Sequence, residues 1–289
     1  MIYLLLSILC SAFILIVFKI SARKNFPPLL LVIINYFSAT FLGYYLSNTT
    51  PWQSVQVLGN HWLPIVIIGS IYILAFFLMG ETTKRSGIAV TTIASKMSFV
   101  IPVVVSFMID PNDSFSIKKA VIVIATIIAV VLSVYKKDDS KSKSWLLPLL
   151  LFVLIGFSDS LIKYMQTFHV KDSQTSSLFT ATLFTVSGLI GIVAWIFYGP
   201  KRKLVFKPLA LIGGLFLGVV NFGSLYFLIN ALNSINANSS MVFGLNNLGV
   251  VILSILIAVY MFKEKLLKIN KVGVLMSLFI VVLMMIISF

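Results

Sequence analysis

Acidic side chains are scarce in this sequence: eight Asp and Glu stand against 22 Lys and Arg among 289 residues. Charged residues of both signs make up 10% of the chain, where a soluble domain carries roughly 25%. A chain so poor in charge and 60% hydrophobic cannot clothe a water-facing surface, because a soluble fold must present polar groups on its outer layer. The single cysteine, Cys10, excludes disulfides and thiolate metal cages within the chain. The two histidines, His61 and His169, are not within four residues of each other, so the spacing gives a metal site little support. No G-x-x-x-x-G-K-[ST] run occurs, which speaks against nucleotide hydrolysis by this chain, and no cofactor is expected. No stretch between apolar runs is long enough to fold as a soluble domain.

What the sequence does have is long apolar runs. A hydrocarbon core of about 30 Å takes roughly 20 apolar residues per helix. Ten such segments are expected at 2–20, 28–46, 62–80, 88–109, 117–135, 145–165, 178–198, 209–229, 237–262 and 269–288. They lack the period-two alternation that a membrane β-barrel needs. The expected fold class is all-α: a polytopic membrane protein with ten transmembrane helices.

The net charge of +14 sits in short clusters between these segments, which reads as topology signal and lipid contact rather than nucleic-acid binding. Sixteen basic residues fall in odd-numbered loops, among them Arg23, Lys24, Lys84, Arg85, Lys136, Lys201 and Lys263. Basic loops stay in the cytoplasm, so the pattern predicts a multi-pass inner-membrane protein with both termini on the far side.

The chain also resembles itself at a shift of 144 to 148 residues. Lys19 matches Lys163, Pro64 and Gly69 match Pro208 and Gly213, Gly43 matches Gly191, and Thr91-Thr92-Ile93 matches Ser239-Ser240-Met241. A five-helix unit has an odd number of spans, so its second copy enters the membrane upside down. The expected organisation is two inverted five-helix repeats, 1–138 and 145–289, joined by a short basic linker at 139–144. Many secondary transporters follow this plan, with the substrate at mid-membrane between the halves.

Ten helices as two five-helix halves resemble the EamA-like branch of the drug/metabolite transporter superfamily over the whole chain. The residues that carry the likeness are Lys19 and Lys163 near the ends of spans one and six, and Ser95-Lys96-Met97-Ser98-Phe99-Val100-Ile101-Pro102 in span four. Asn246-Asn247, Phe262-Lys263-Glu264-Lys265 and Gly273 carry it in the last two spans. The sequence departs from the family in having Asp110-Pro111-Asn112-Asp113 where a glutamate like Glu264 would stand. The charge pattern also opposes the cytoplasmic termini usual in that family. The resemblance implies carriage of small metabolites, amino acids or related solutes among them.

Ionisable groups inside a bilayer cost about 2.5–3.5 kcal/mol each on insertion scales and so mark candidate sites. Lys96 reads either as the cation for a substrate carboxylate or phosphate, or as a structural counter-ion for Asp159. Asp159 and Lys163, four apart on one helix face, read either as an intrahelical salt bridge or as an ion-coupling pair with Asp159 exchanging a proton. Pro102 cannot bond the Ser98 carbonyl four residues back. The repeat sets Ser98 opposite Asn246, and interrupted helices at matched positions point to a transporter's site.

The candidate substrate-binding set is therefore Ser95, Lys96, Ser98, Asn246 and Asn247, with Asn35, Tyr72, Asn221 and Tyr226 as further cavity-lining groups. Ordinary helix packing is the competing account of the small and amide residues.

The expected function is a secondary transporter of small metabolites working by alternating access, as a monomer or homodimer. Its partners would be a small-molecule substrate, membrane lipids and a proton or other coupling ion, with no nucleic acid. The alternatives are an intramembrane enzyme acting on a lipid-linked substrate, which the scattered acids disfavour, and a membrane scaffold.

Overall fold

The computed structural model describes residues 2–58, 61–102, 105, 117–134, 145–170, 173–198, 208–234, 239–264 and 267–287. Among these residues the chain is all helix and loop, with no strand. Five helices are long and apolar enough to cross a membrane: α1 (Ile2–Arg23), α2 (Pro28–Ser47), α4 (Trp62–Ser86), α8 (Ser173–Tyr198) and α9 (Pro208–Ser234). The rest are α3 (Pro51–Leu58), α5 (Ile88–Met97), α6 (Ile117–Val134), α7 (Leu146–Phe168), α10 (Ser239–Leu256) and α11 (Lys268–Ile287). This is the architecture of a membrane-embedded helical protein. Its outer face is as apolar as its core: on α1, Leu4, Leu15 and Phe18 are buried while Ile2, Leu5, Leu9 and Phe13 are exposed.

Two expectations shift. The stretch after α2, read as a loop, contains the short helix α3, begun by a proline at its first position, where the missing N–H costs nothing. The fourth segment, expected at 88–109 with its interruption at Pro102, already leaves the α-helix after Met97, turns at Ser98 and Phe99, and is helical again at 100–102. Pro102 cannot serve the Ser98 carbonyl, and that oxygen accepts instead from the Ile101 N–H at 2.9 Å, a tighter turn. The linker 139–144, Asp110-Pro111-Asn112-Asp113, Lys171 and Lys201 through Lys207 lie outside the described residues, as does the Lys163 side chain.

Glycines and hydroxyls let the central helices approach closely, as bilayer helices without a hydrophobic drive require. On α1, Ser7 donates to the Ser224 carbonyl of α9 at 2.8 Å, and Cys10 lies against Gly223, so the two run antiparallel. Helix α2 meets α8 antiparallel. Gly43 fits against Ala181, and Gly191 fits against Ile33. The two contacts are reciprocal: Gly43 and Gly191 stand 148 positions apart, and so do Ile33 and Ala181. Thr40 against Thr185 and Phe37 against Gly188 repeat the relation one turn further along.

A second matched pair involves different helices. Ser187 of α8 donates to the Gly69 carbonyl of α4 at 3.0 Å, and Ser38 of α2 donates to the Leu215 carbonyl of α9 at 2.9 Å. Around this centre α5 packs on α10, α6 on α11, α7 on α4 and α5, and α1 on α10.

The ends of the bundle differ. At one end α1 finishes beside the α4–α5 turn and the end of α10, ringed by exposed Arg23, Lys24, Lys84, Arg85 and Lys263. At the other, the start of α4 meets the end of α7 through the rings of His61 and His169.

Candidate functional site

Helix α5 is encased. Every residue from Ile88 to Ser95 is buried, as are Met97 and Ser98, yet Lys96 between them keeps accessible surface. Its neighbours one turn away on either side, Thr92, Ile93 and Val100, are all covered by protein. Phe99, one turn on, is partly accessible as well, and Lys96 stands about 12 Å along the helix from Ile88.

Asp159 on α7 is also partly accessible, between buried Ser158 and Ser160. The two charges interact electrostatically but stand beyond the 4.0 Å of a direct ion pair, and neither has a partner at hydrogen-bond distance among the described residues. Asp159 also interacts with Tyr72 of α4, and Tyr72 with Tyr36 of α2. Four helices thus bring two opposite charges and two phenols into one neighbourhood.

Aromatic rings pack around Tyr72. Tyr36 lies 5.6 Å from both Phe76 and Phe184, and Tyr72 lies 6.2 and 6.3 Å from the same two rings. Such separations suit offset and edge contacts, which fix ring orientation as well as fill volume. Buried polar atoms without a partner occur on the surrounding helices: both amide atoms of Asn35, the Tyr36 hydroxyl, the Ser158 hydroxyl, the Asn221 amide nitrogen and the Asn246 amide oxygen. An unsatisfied buried polar atom costs about 1–3 kcal/mol, so several in one region indicate a place completed by something else.

The structure arranges the sequence candidates unevenly. Asn35 is fully buried, and its backbone carbonyl lies against Gly218, one turn before Asn221 on α9. Asn246 and Asn247 are buried on α10, the helix that packs on α5. Ser95 and Ser98 turn their hydroxyl hydrogens inward on their own helix, donating to the carbonyls of Thr92 at 3.1 Å and Ser95 at 2.6 Å. They retain only lone pairs for a ligand. Tyr226 stacks on Phe222 at 5.5 Å, towards the α2–α8 crossing. Among the described residues the opposite charge that acts on Asp159 is Lys96 of another helix, while the Asp159–Lys163 pairing lies outside the described residues.

The chain reading missed three features. Tyr36, Phe76 and Phe184 were not singled out. His61 and His169 stack with centroids 3.7 Å apart although 108 positions separate them. Among the described residues no three metal-ligating side chains come together. Third, Glu264 closes one end of the bundle: its carboxylate pairs with Lys19 at 2.6 Å and accepts from the Ile88 N–H at 2.9 Å. Sequence likeness had marked Lys19 and Glu264 without linking them.

No family model matches the chain. An uncharacterized protein of Haemophilus influenzae is 26% identical over 280 residues, spanning 95% of this chain and 94% of that protein. A solved crystal structure of a protein is similar at a TM-score of 0.61, covering 98% of this chain and 96% of that one. The chain shares that structure's fold. At 11% identity, the likeness carries no function with it.

Proposed function

We propose that the protein is a secondary transporter which moves a small metabolite across the inner membrane by alternating access, and that it belongs with the EamA-like drug/metabolite transporters. The observation that carries this reading is the pair Lys96 and Asp159, held inside the bundle more than 4.0 Å apart and, among the described residues, without direct partners, beside Tyr36 and Tyr72. Two charges placed there for stability alone would close into contact, because each bears a desolvation cost that only a partner offsets. Held apart, they suit a solute with an anionic group for Lys96 and a cationic or hydroxyl group for Asp159. Amino acids fit that description.

Ten spans arranged as two inverted repeats belong to this proposal. The reciprocal contacts Gly43–Ala181 and Gly191–Ile33 support it, since a twofold axis in the membrane plane exchanges α2 with α8. The matched bonds Ser187 to Gly69 and Ser38 to Leu215 support the same exchange of α4 with α9. Two like halves around one polar chamber can rock and open it to each side in turn. A proton or other ion gradient would supply the drive, with Asp159 as the coupling carboxylate.

Thermal unfolding of the purified protein against amino acids, organic acids, sugars and nucleobases tests the reading, because a ligand that binds only the folded state raises the midpoint. A zwitterionic class is expected to stabilise the wild-type protein, and Lys96→Met to abolish the effect. If no class shifts the midpoint and reconstituted vesicles take up none of them, the carrier reading fails.

A further inference from the structure

We propose that Glu264 is the bolt of a gate that shuts the chamber from the basic end of the bundle. One carboxylate joins three separate elements there. Its oxygens accept from the Ile88 N–H at 2.9 and 3.0 Å and from the Ala89 N–H at 3.4 Å, capping the start of α5. Oε1 also pairs with the Lys19 ammonium of α1 at 2.6 Å. Next to it, Arg23 of α1 donates to the Phe262 carbonyl at 3.3 Å and lays its guanidinium 4.8 Å from the centre of the Phe262 ring. The free N–H groups and positive dipole end of α5 favour a carboxylate at that position, and Lys19 adds a full positive charge. Side-chain exposures of 17% for Lys19 and 12% for Glu264 show that the pair is nearly enclosed, where salt screens it less.

The backbone on both sides of the bolt is built to bend. Gly87, between α4 and α5, has φ of +91°, a conformation that side chains rarely adopt, and Glu264 lies directly against it. On the other side, α10 widens into a π-helical turn at Ile257–Met261 and leaves through Lys263 at φ of +54°. Such widened turns often mark places where a helix is reshaped for function.

Under the bolt runs a buried hydroxyl seam. Thr83 donates to Thr91 at 3.2 Å, Thr92 follows, and the Thr82 hydroxyl has no partner. The seam leads along α5 to Lys96. The helix that the bolt caps therefore carries the chamber's cation, and the helix that delivers the bolt carries Asn246 and Asn247. Withdrawal of Glu264 frees both site helices together and opens the seam to the basic side.

This inference rests on the carrier reading, and its test needs no solute, so the two can fail separately. In a Cys10→Ala background, Thr82→Cys places a reporter thiol about 8 Å from Gly87 along α4. The rate at which this thiol forms a mixed disulfide with a charged, membrane-impermeant methanethiosulfonate applied from the basic side, releasing methanesulfinate, is then measured in vesicles. Adding Glu264→Gln is expected to raise the rate at least tenfold. Adding Lys19→Met, which leaves the cap on α5 intact, should raise it several-fold, and it serves alone if the Glu264 variant does not reach the membrane. Equal rates, within twofold, in every folded protein would overturn the gate even where solute binding is normal.

Discussion

Removal of the two interior charges, singly and together, asks whether Lys96 and Asp159 form a chamber or a structural pair. They stand beyond 4.0 Å, so at an effective dielectric constant near 20 their attraction is below about 4 kcal/mol. Each also carries an insertion cost of about 2.5–3.5 kcal/mol. Asp159→Asn leaves Lys96 uncompensated, and Lys96→Met does the same to Asp159; we expect each to lower stability by about 2–3 kcal/mol, under the 3–5 kcal/mol typical of breaking a contacting buried pair.

In the double variant neither charge is stranded. Its loss should fall short of the summed single losses by at least about 1 kcal/mol, and removing both desolvation costs can return it to wild-type stability. Denaturant unfolding of the four proteins in one detergent gives this cycle, and the same four proteins with and without a stabilising zwitterion give the functional half. The solute response should vanish in Lys96→Met and in the double variant and weaken in Asp159→Asn. Additive losses, within about 0.5 kcal/mol, would mean that the charges do not sense each other. A double variant that still responds to the solute would refute the chamber itself.

Further outcomes follow from the helix contacts and the charges. A Cβ on Gly218 would lie 2.5 Å from the Asn35 carbonyl oxygen, so Gly218→Ala must part α2 from α9 and should cost about 1–3 kcal/mol. On the same helix Gly213→Ala meets only Leu31 at 3.4 Å, and thermal unfolding should find it neutral or slightly more stable. Gly43→Ala should cost more than Gly191→Ala, because the first meets the rigid Cβ of Ala181 and the second the rotatable Ile33 side chain, each at 2.8 Å. Asp159→Asn should make uptake by vesicles insensitive to an imposed pH gradient, and unchanged acceleration would remove Asp159 from coupling. A reporter that fluoresces only in the cytoplasm, fused after Phe289, should stay dark; a bright fusion would reverse the orientation read from the basic loops.

The helices were legible because bilayer thickness imposes a length that hydropathy detects residue by residue. Their ends were less so. α8 begins at Ser173, ahead of the expected 178, since Ser173-Gln174-Thr175-Ser176-Ser177 is polar yet helical. Protein rather than lipid covers Ser176 and Ser177.

Lys96 was legible as a site candidate because an interior lysine is costly wherever it points. Its relation to Asp159 had an alternative in Lys163, since spacing along one helix is visible in a sequence and distance between helices is not. The same limit hid the Lys19–Glu264 link and the His61–His169 stack, each made by residues more than a hundred positions apart. The rings of Tyr36, Phe76 and Phe184 were hidden for another reason: in a chain with 24 phenylalanines and 10 tyrosines, aromatic residues single out nothing.

The α2–α8 crossing has a mechanical corollary. With Ala181 seated against Gly43 and Ile33 against Gly191, the two helices interlock and cannot slide past one another without collision. On the carrier reading this fixed crossing is a fulcrum: a tilt that spreads the helices at one mouth would draw them together at the other. A protein hinged in this way avoids standing open as a pore through its geometry as well as through any bolt.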